Sequence, residues 1–333
     1  MTKTEPPNPS LRVLLVGAGS VGQVYGHHFQ RGGADVRYLV RPKYVEQCRA
    51  GFTLHHFVNR RTESSTFLPN RVSASPEEAA QGGVDLVVLC MSYSGLRGEW
   101  LSELLAVVGD VPVLSLVPGI AAREWLGTRI APERLLLGFI TLMAYPAPLE
   151  GQDLEPGTAY WFPPLAPAPI EGPSEAVATA VACLQAGGQP VRSAKNNSRQ
   201  SAAATALFMP LIAGLELDGW TFKGLIRGGR LAQACQAGRE ASELAAMRLG
   251  VPPPFSRYFL RPILVRFVFA LAPLLVPFDL EGFLALHFDK VGHQTRLFLD
   301  DWLSTAEEKD KPAPALQALA RGLVRLDSGS QAL

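Results

Sequence analysis

The chain has 333 residues, and its 31 Lys+Arg against 30 Asp+Glu give a net charge of +1, which excludes the clustered basic excess of a nucleic-acid binder. Four widely spaced cysteines, Cys48, Cys90, Cys183 and Cys235, exclude a Cys-rich zinc module and a small disulfide scaffold, and suit a reducing, cytoplasmic compartment. At 47% hydrophobic the chain can bury a large core, and its length predicts about two domains.

Residues 1–10 are polar, carry three prolines and have no apolar stretch of signal-peptide type, so a flexible tail is expected. Leu11–Val16 is a short apolar run that reads as a strand, and it runs into Gly17-Ala18-Gly19-Ser20-Val21-Gly22, a GxGxxG turn. Val21, Val24, Tyr25 and Phe29 follow at helical spacing, Gly32-Gly33 ends that helix, and Ala34–Val40 reads as a second strand. A glycine turn between strand and helix, leading to a second strand, is the setting of a dinucleotide fingerprint. The glycines permit the tight turn, close approach of a pyrophosphate and close helix–strand packing, with the phosphates at the helix N-terminus.

The end of the second strand selects between dinucleotides. An acid there would hold a ribose 2′-hydroxyl, but this chain has Arg41, followed by Pro42 and Lys43. A guanidinium can bind a 2′-phosphate bidentately, so NADP(H) is expected over NAD(H). Two further apolar strands, Val84–Met91 and Val111–Val117, end at Ser92 and at Pro118-Gly119. The carboxyl ends of parallel strands line a cofactor crevice, which brings these residues into the candidate site.

Eight prolines fall between Pro146 and Pro173, with Gly157–Phe162 among them as a candidate strand; this stretch is expected to extend the first sheet. A helix is expected over Ser174–Ala186 with Ser174 as its N-cap, then a short strand over Pro190–Ser193. The pattern then stays helical, with helices expected over Asn197–Trp220, Leu231–Leu249, Asp279–Leu303 and Pro312–Val324. Asn197, Ser201 and Thr205 form a polar stripe on the first of these, read either as substrate-facing or as side chains bonded back to their own helix. His287, Lys290 and Gln294 share one face of the third. Phe259–Phe278 is the greasiest stretch, yet two arginines and three prolines interrupt it, so no transmembrane segment is expected. A buried helix broken by prolines is the first reading; an interfacial or substrate-facing surface is the second.

The chain resembles the ketopantoate reductase family. The resemblance rests on LLVGAGSVG, on Tyr38-Leu39-Val40-Arg41, on DLVVLCMS and LSLVPGI at the later strand ends, and on the GFITLMAYPAPLEGQ and GTAYWF segments. It implies an α/β fold: a Rossmann-type domain over 11–192, then an all-helical substrate domain over 193–333, with NADPH and substrate in the cleft between them. It also implies reduction of a 2-keto acid, and dimers are frequent in the family. Two family positions differ here: Ser92 stands where the family carries a lysine, and Pro118 where it carries an asparagine. The helix of the family's general-acid lysine aligns with Ser201, Thr205 and Met209, and its substrate-binding serine aligns near Arg296.

The cofactor-binding candidates are therefore Gly17, Gly19, Ser20, Val21, Gly22, Arg41, Ser92, Pro118 and Gly119. The catalytic candidates are Lys290 and Ser201, with His287, His293 and Arg296 as other donors on the later helix. Asn197, Thr205 and Arg296 are the substrate-binding candidates, and no metal site is expected. Three readings follow. The first is an NADP(H)-dependent reductase with a relocated donor, acting on a keto or imine group of a small to medium, apolar substrate. The second is a true 2-dehydropantoate 2-reductase using Lys195 or Arg199 as acid. The third is a non-catalytic NADP(H)-binding protein. A fourth, of a different class, is an α/β binding module that takes no nucleotide.

Overall fold

A computed structural model of the chain describes residues 10–58, 61–96, 98–195, 197–290 and 292–330. These form two compact units. One comprises residues up to Pro118 together with Ala122–Asn197, and the other comprises Gly119–Ala121 together with Ser198 onward.

The first unit opens as the sequence predicts, with β1 (Arg12–Val16), α1 (Ser20–Arg31) and β2 (Asp35–Leu39). The two strands pair in parallel, Val13 opposite Val36 and Val16 opposite Leu39. Then come α2 (Val45–Arg49), the antiparallel pair β3 (Phe52–Val58) and β4 (Arg61–Phe67), β5 (Arg71–Ser73) and α3 (Pro76–Ala80). β6 (Leu86–Leu89), α4 (Tyr93–Leu96), α5 (Trp100–Val108), β7 (Val113–Ser115) and α6 (Ile120–Gly127) follow. β8 (Leu135–Gly138), β9 (Met143–Ala147), β10 (Gly157–Trp161), β11 (Ala168–Glu171), α7 (Ser174–Ala186) and β12 (Val191–Ser193) complete the unit.

Eight strands form one sheet in the order β12-β11-β8-β7-β6-β1-β2-β5, in which only β8 and β11 run antiparallel. Both faces are covered, which is why Val13–Val16 of β1 are all apolar rather than alternating. Val13 and Leu15 pack with Val24, Tyr25 and Phe29 of α1, whereas Leu14 and Val16 pack with Leu101 and Leu104 of α5 and Leu126 of α6.

Gly157–Trp161 is a strand, as expected, but it does not extend the first sheet. β10 joins a separate four-stranded sheet in the order β4-β3-β10-β9. Pro146 sits on the edge strand β9, where a missing N–H costs no ladder bond. Leu54, Phe67 and Tyr160 from this sheet share the core of α1. His28 of α1 is 1% exposed; its Nδ1–H donates to the Gly187 carbonyl at 2.8 Å and its Nε2 accepts from the Tyr160 hydroxyl at 3.2 Å. Burial pushes the His28 pKa down to about 3 and that of neighbouring His27 down to about 4, so both rings are neutral at pH 7. Ser174 is the first helical residue of α7 and Pro173 is its N-cap, a correction of one position: Pro173 is extended and supplies the helix entry without a side-chain cap.

The second unit is helical: α8 (Asn197–Leu217), α9 (Phe222–Arg227), α10 (Arg230–Arg248), α11 (Pro262–Leu275), α12 (Leu280–Lys290), α13 (Gly292–Glu308) and α14 (Pro314–Ser330). Two helices thus occupy the span expected as one over Asp279–Leu303, with Val291 outside the described residues. α10 is the central helix, packed on α13 and α14 through a buried face that includes Ala234, Ala237, Ala241 and Ala245. Its buried Glu240 accepts the Leu316 backbone N–H at 2.9 Å and that of Ala315 at 3.4 Å, which caps the start of α14 with a carboxylate.

Phe259–Phe278 departs from the buried-helix expectation. Of α11, only Val265 is fully buried, while Ile263, Phe267, Val268, Leu271, Leu274 and Leu275 stand in solvent. The apolar content is real, but the helix uses a single narrow stripe to hold on to its unit.

Candidate functional site

The best-defined site lies at the carboxyl edge of the large sheet in the first unit. Three backbone hydrogen bonds bring the strand ends together there. Gly17 N–H donates to Leu39 O at 3.0 Å, Cys90 N–H to Val16 O at 3.0 Å, and Leu116 N–H to Leu89 O at 3.1 Å. The loops that follow β1, β2, β6 and β7 therefore leave the sheet side by side. Residues 17–22, Arg41, Ser92 and Pro118 are gathered along one edge, although they span about 100 positions of sequence.

The turn itself has the shape a phosphate needs. Gly17 has φ +97°, and a Cβ there would meet the Cys90 carbonyl oxygen at 2.8 Å. Gly22 lies so close beneath the turn that a Cβ would meet the Gly17 oxygen at 2.3 Å. Between them Gly19 is exposed, and a Cβ built on it touches nothing within 4 Å, which leaves open space over the turn. Gly19 is the N-cap of α1 and offers no side-chain cap, and the first turn of α1 has no acid. Ser20 and Val21 are half-buried at the start of the helix, with Val21 packed on the core. The first N–H groups of α1 thus face an open space with the positive end of the helix dipole behind them, a ready anion site. The cradle fits the pyrophosphate of a dinucleotide.

Two residues that sequence reasoning missed brace this turn. Gln23 donates from Nε2 to the Ala18 carbonyl at 2.8 Å and accepts from the Thr158 hydroxyl at 2.7 Å, which ties the turn to β10. The Tyr38 hydroxyl, fully buried, donates to the Gly22 carbonyl at 2.7 Å. Neither role has a motif of its own: Gln23 is held by Thr158 from a distant strand, and Tyr38 reaches the turn only once β2 has paired with β1.

Arg41 follows β2 in extended conformation (φ −61°, ψ 147°) as the N-cap of a short turn over Pro42–Tyr44. Its guanidinium lies 5.4 Å from the Tyr44 ring centre, and the Lys43 ammonium lies 4.9 Å from the same ring. Both cations are exposed, and among the described residues neither has an ion-pair partner. A pair of free cations one strand away from the glycine turn suits an added phosphate on the adenosine ribose.

Ser92 shares a hydrogen bond with Ser94 at 3.0 Å in the loop after β6. Cys90, two residues earlier, is partly buried against the core, and burial pushes its thiol above the usual range, which keeps it protonated at pH 7. Pro118 ends the loop after β7. Gly119 (φ +105°) is grouped with the helical unit, where a Cβ would meet the Phe298 ring at 2.8 Å.

The helical candidates lie on or just before α8, on α12 and on α13. Asn197, Ser201 and Lys290 lie on α8 and α12, but their side chains, like that of Arg199, fall outside the described ones. Thr205 is half-buried on α8, Met209 is buried, and Lys195 is exposed. Arg296 is engaged by Glu216, to which it donates at 2.8 Å, and by the Gly292 carbonyl at 3.0 Å. His287 stacks on Phe283 and meets Phe288 edge-on, and His293 is exposed. Among the described residues, no three His, Cys, Asp or Glu side chains cluster to hold a metal ion.

Residues 13–150 match the family model of ketopantoate reductase PanE/ApbA. No curated protein sequence matches the chain. Among solved structures, a PanE/ApbA family ketopantoate reductase from Ralstonia eutropha JMP134 is similar with a TM-score of 0.72 at 21% identity, covering 97% of this chain and 100% of that one. The 2-dehydropantoate 2-reductase of Methylococcus capsulatus gives 0.67 at 18%, covering 95% and 97%. A D-mandelate dehydrogenase in ternary complex with NADH and anilino(oxo)acetate gives 0.68 at 14%, covering 96% and 99%. The fold, a Rossmann-type unit followed by a helical one, is that of the ketopantoate reductases.

Proposed function

We propose that this chain, matched by the ketopantoate reductase model over residues 13–150, is an NADP(H)-dependent oxidoreductase that acts on a keto or imine group of a small to medium substrate. The observation that carries the reading is Arg41. It stands at the carboxyl end of β2, linked to the glycine turn through the Gly17–Leu39 hydrogen bond, with no carboxylate in its place in the sequence and none paired with it among the described residues. The similar dehydrogenase with bound NADH supports a nicotinamide dinucleotide in this fold.

Each part of the edge has a role in this reading. The Gly17–Gly22 turn and the first N–H groups of α1 hold the pyrophosphate. Arg41, with Lys43 beside it, holds the 2′-phosphate. Gln23 and Tyr38 keep the turn in place. The bound dinucleotide supplies the hydride. The Ser92 hydroxyl is a neutral hydrogen-bond donor at pH 7, so it can orient a substrate oxygen but cannot replace a lysine as an acid. A carbonyl activated by its own neighbouring groups, or an imine that is already protonated, suits such an edge better than a simple keto acid.

Fluorescence titration with NADPH and NADH tests the cofactor. NADPH is expected to bind at least tenfold more tightly, and Arg41→Ala is expected to cost NADPH about tenfold while leaving NADH unchanged, the loss of about one charge-assisted contact. Equal affinities in the parent chain, or an indifferent Arg41→Ala, would sink the assignment. NADPH oxidation with 2-dehydropantoate, with bulkier ketones and with cyclic imines then separates the substrate classes. Binding without turnover across that panel would leave a non-catalytic dinucleotide protein.

A further inference from the structure

The face of α11 that points away from its unit is mostly apolar, with Arg266 as the helix's one charged residue. Val265, Phe269 and Ala272, at i, i+4 and i+7, are the buried and half-buried stripe, with Phe269 stacked on Phe222 at 4.4 Å. On the other side Ile263, Phe267, Val268, Leu271, Leu274 and Leu275 are each between 54% and 76% exposed. The short helical turn just before α11 adds Phe255, Tyr258 and Phe259, exposed by 74%, 51% and 58%. Contiguous apolar surface beyond a few hundred Å² marks an interaction site rather than an ordinary protein surface.

Charge decides the occupant. The thirty residues Leu249–Phe278 contain three arginines and no carboxylate, within a chain whose overall charge is only +1. Arg257 is paired with Glu243, but Arg261 and Arg266 are exposed and have no ion-pair partner among the described residues. A second copy docking this face on itself would set cation against cation. An anionic surface would answer both arginines. Length adds to this: 14 helical residues reach about 21 Å, short of the roughly 30 Å hydrocarbon core. The next helix turns away by 101°, so the pair does not form a straight span. Among the described residues, no single helix is long and apolar enough to cross a membrane.

We propose that α11 is an interfacial helix that seats the helical unit on an anionic phospholipid surface. The helix lies in the plane of the interface with the Phe267–Leu271–Leu274 face in the acyl boundary. Phe255, Tyr258 and Phe259 sit at the headgroup level as aromatic anchors, and Arg261 and Arg266 reach lipid phosphates. This is independent of the dinucleotide reading and extends it: a reductase so placed would meet substrates that partition into or onto a bilayer.

Co-sedimentation of the full chain with large unilamellar vesicles tests it, using phosphatidylcholine alone and phosphatidylcholine with about one third phosphatidylserine, with size-exclusion light scattering in parallel. Binding to the phosphatidylserine vesicles, weakened by salt and weak on phosphatidylcholine, is expected. Arg261→Gln with Arg266→Gln is expected to lower it by roughly fivefold per arginine, or about 25-fold together. Leu271→Glu is expected to abolish it, with thermal stability and NADPH affinity little changed because the residue is 54% exposed. Phe267→Ser serves as a second apolar variant. No binding of the folded chain to phosphatidylserine vesicles overturns the proposal. So does a dimer that Leu271→Glu dissolves, since a second copy would then be what covers the face.

Discussion

Gly22 and Gly19 flank the same turn but make opposite demands, and substituting each separates folding from binding. At Gly22 a Cβ would stand 2.3 Å from the Gly17 oxygen and 3.2 Å from the Cys90 Cβ, whereas ordinary contact begins near 3.4 Å. The nearest atom is backbone and cannot rotate away, so Gly22→Ala must drive α1 from the turn by about 1 Å, at an overpacking cost of about 1–3 kcal/mol. A fall in Tm of several degrees follows, at about 2–4 °C per kcal/mol for a unit of this size. The same displacement opens hydrogen bonds from the α1 N–H groups to a phosphate beyond their ~2.9 Å optimum, so NADPH affinity falls at least tenfold. At Gly19 the backbone (φ −70°, ψ 176°) suits any residue, and the added methyl meets no protein atom. Gly19→Ala is therefore expected to keep the parental Tm and yet lose NADPH, because the methyl enters the space held for the pyrophosphate. Differential scanning fluorimetry beside NADPH fluorescence titration reads both quantities. A Gly22→Ala chain with parental Tm and affinity would refute the packing argument; a Gly19→Ala chain that binds NADPH normally would refute the position of the phosphate.

Other outcomes follow from the same packing. His27 and His28 hold pKa values of about 4 and about 3 when folded but titrate near 6.5 when unfolded, so the unfolded chain binds the extra protons as pH falls below 6.5. Stability should then drop by about 2 kcal/mol per group between pH 7 and pH 5, read as a urea midpoint, with a smaller drop in His28→Asn; a flat profile would contradict this. Glu240→Ala leaves the Ala315 and Leu316 N–H groups without their carboxylate and is expected to cost about 2 kcal/mol in urea unfolding without altering NADPH affinity. Arg296→Ala strands the Glu216 carboxylate, 11% exposed, and should cost about 2 kcal/mol, much of it recovered by adding Glu216→Gln. A raised KM with an unchanged Tm in Arg296→Ala would instead make Arg296 a substrate contact.

The cofactor edge was legible in the sequence because its parts are local. The strand, the GxGxxG turn and the helix are consecutive, and Arg41 lies one short strand further on. The β3–β4 pair was not read, although Phe52 and Leu54 do alternate, because His55, His56 and a run of Thr and Ser blur the period. The separate sheet could not be inferred from Gly157–Phe162 alone, since its neighbour β3 lies about 100 residues earlier. The Gln23–Thr158 bond was invisible for the same reason. The greasy stretch misled through a true premise: apolar residues are usually buried, but their number says nothing about whether the unit has room for them. α11 has one stripe's worth of partners and about twice that of apolar surface.

The pairing of β3 with β10 also orders events in time. On a ribosome, β1, α1 and β2 can pair as soon as they emerge, whereas β3 waits for residues 157–161 to be made before its second edge is covered. Throughout that interval Phe52–Val58 presents open N–H and C=O groups and exposed phenylalanines. β12, at Val191–Ser193, closes the large sheet only later, and the helical unit follows it. The early chain is thus most prone to self-association between the synthesis of β3 and that of β10, and heat-shocked or over-expressed chains should aggregate through this strand rather than through the dinucleotide edge.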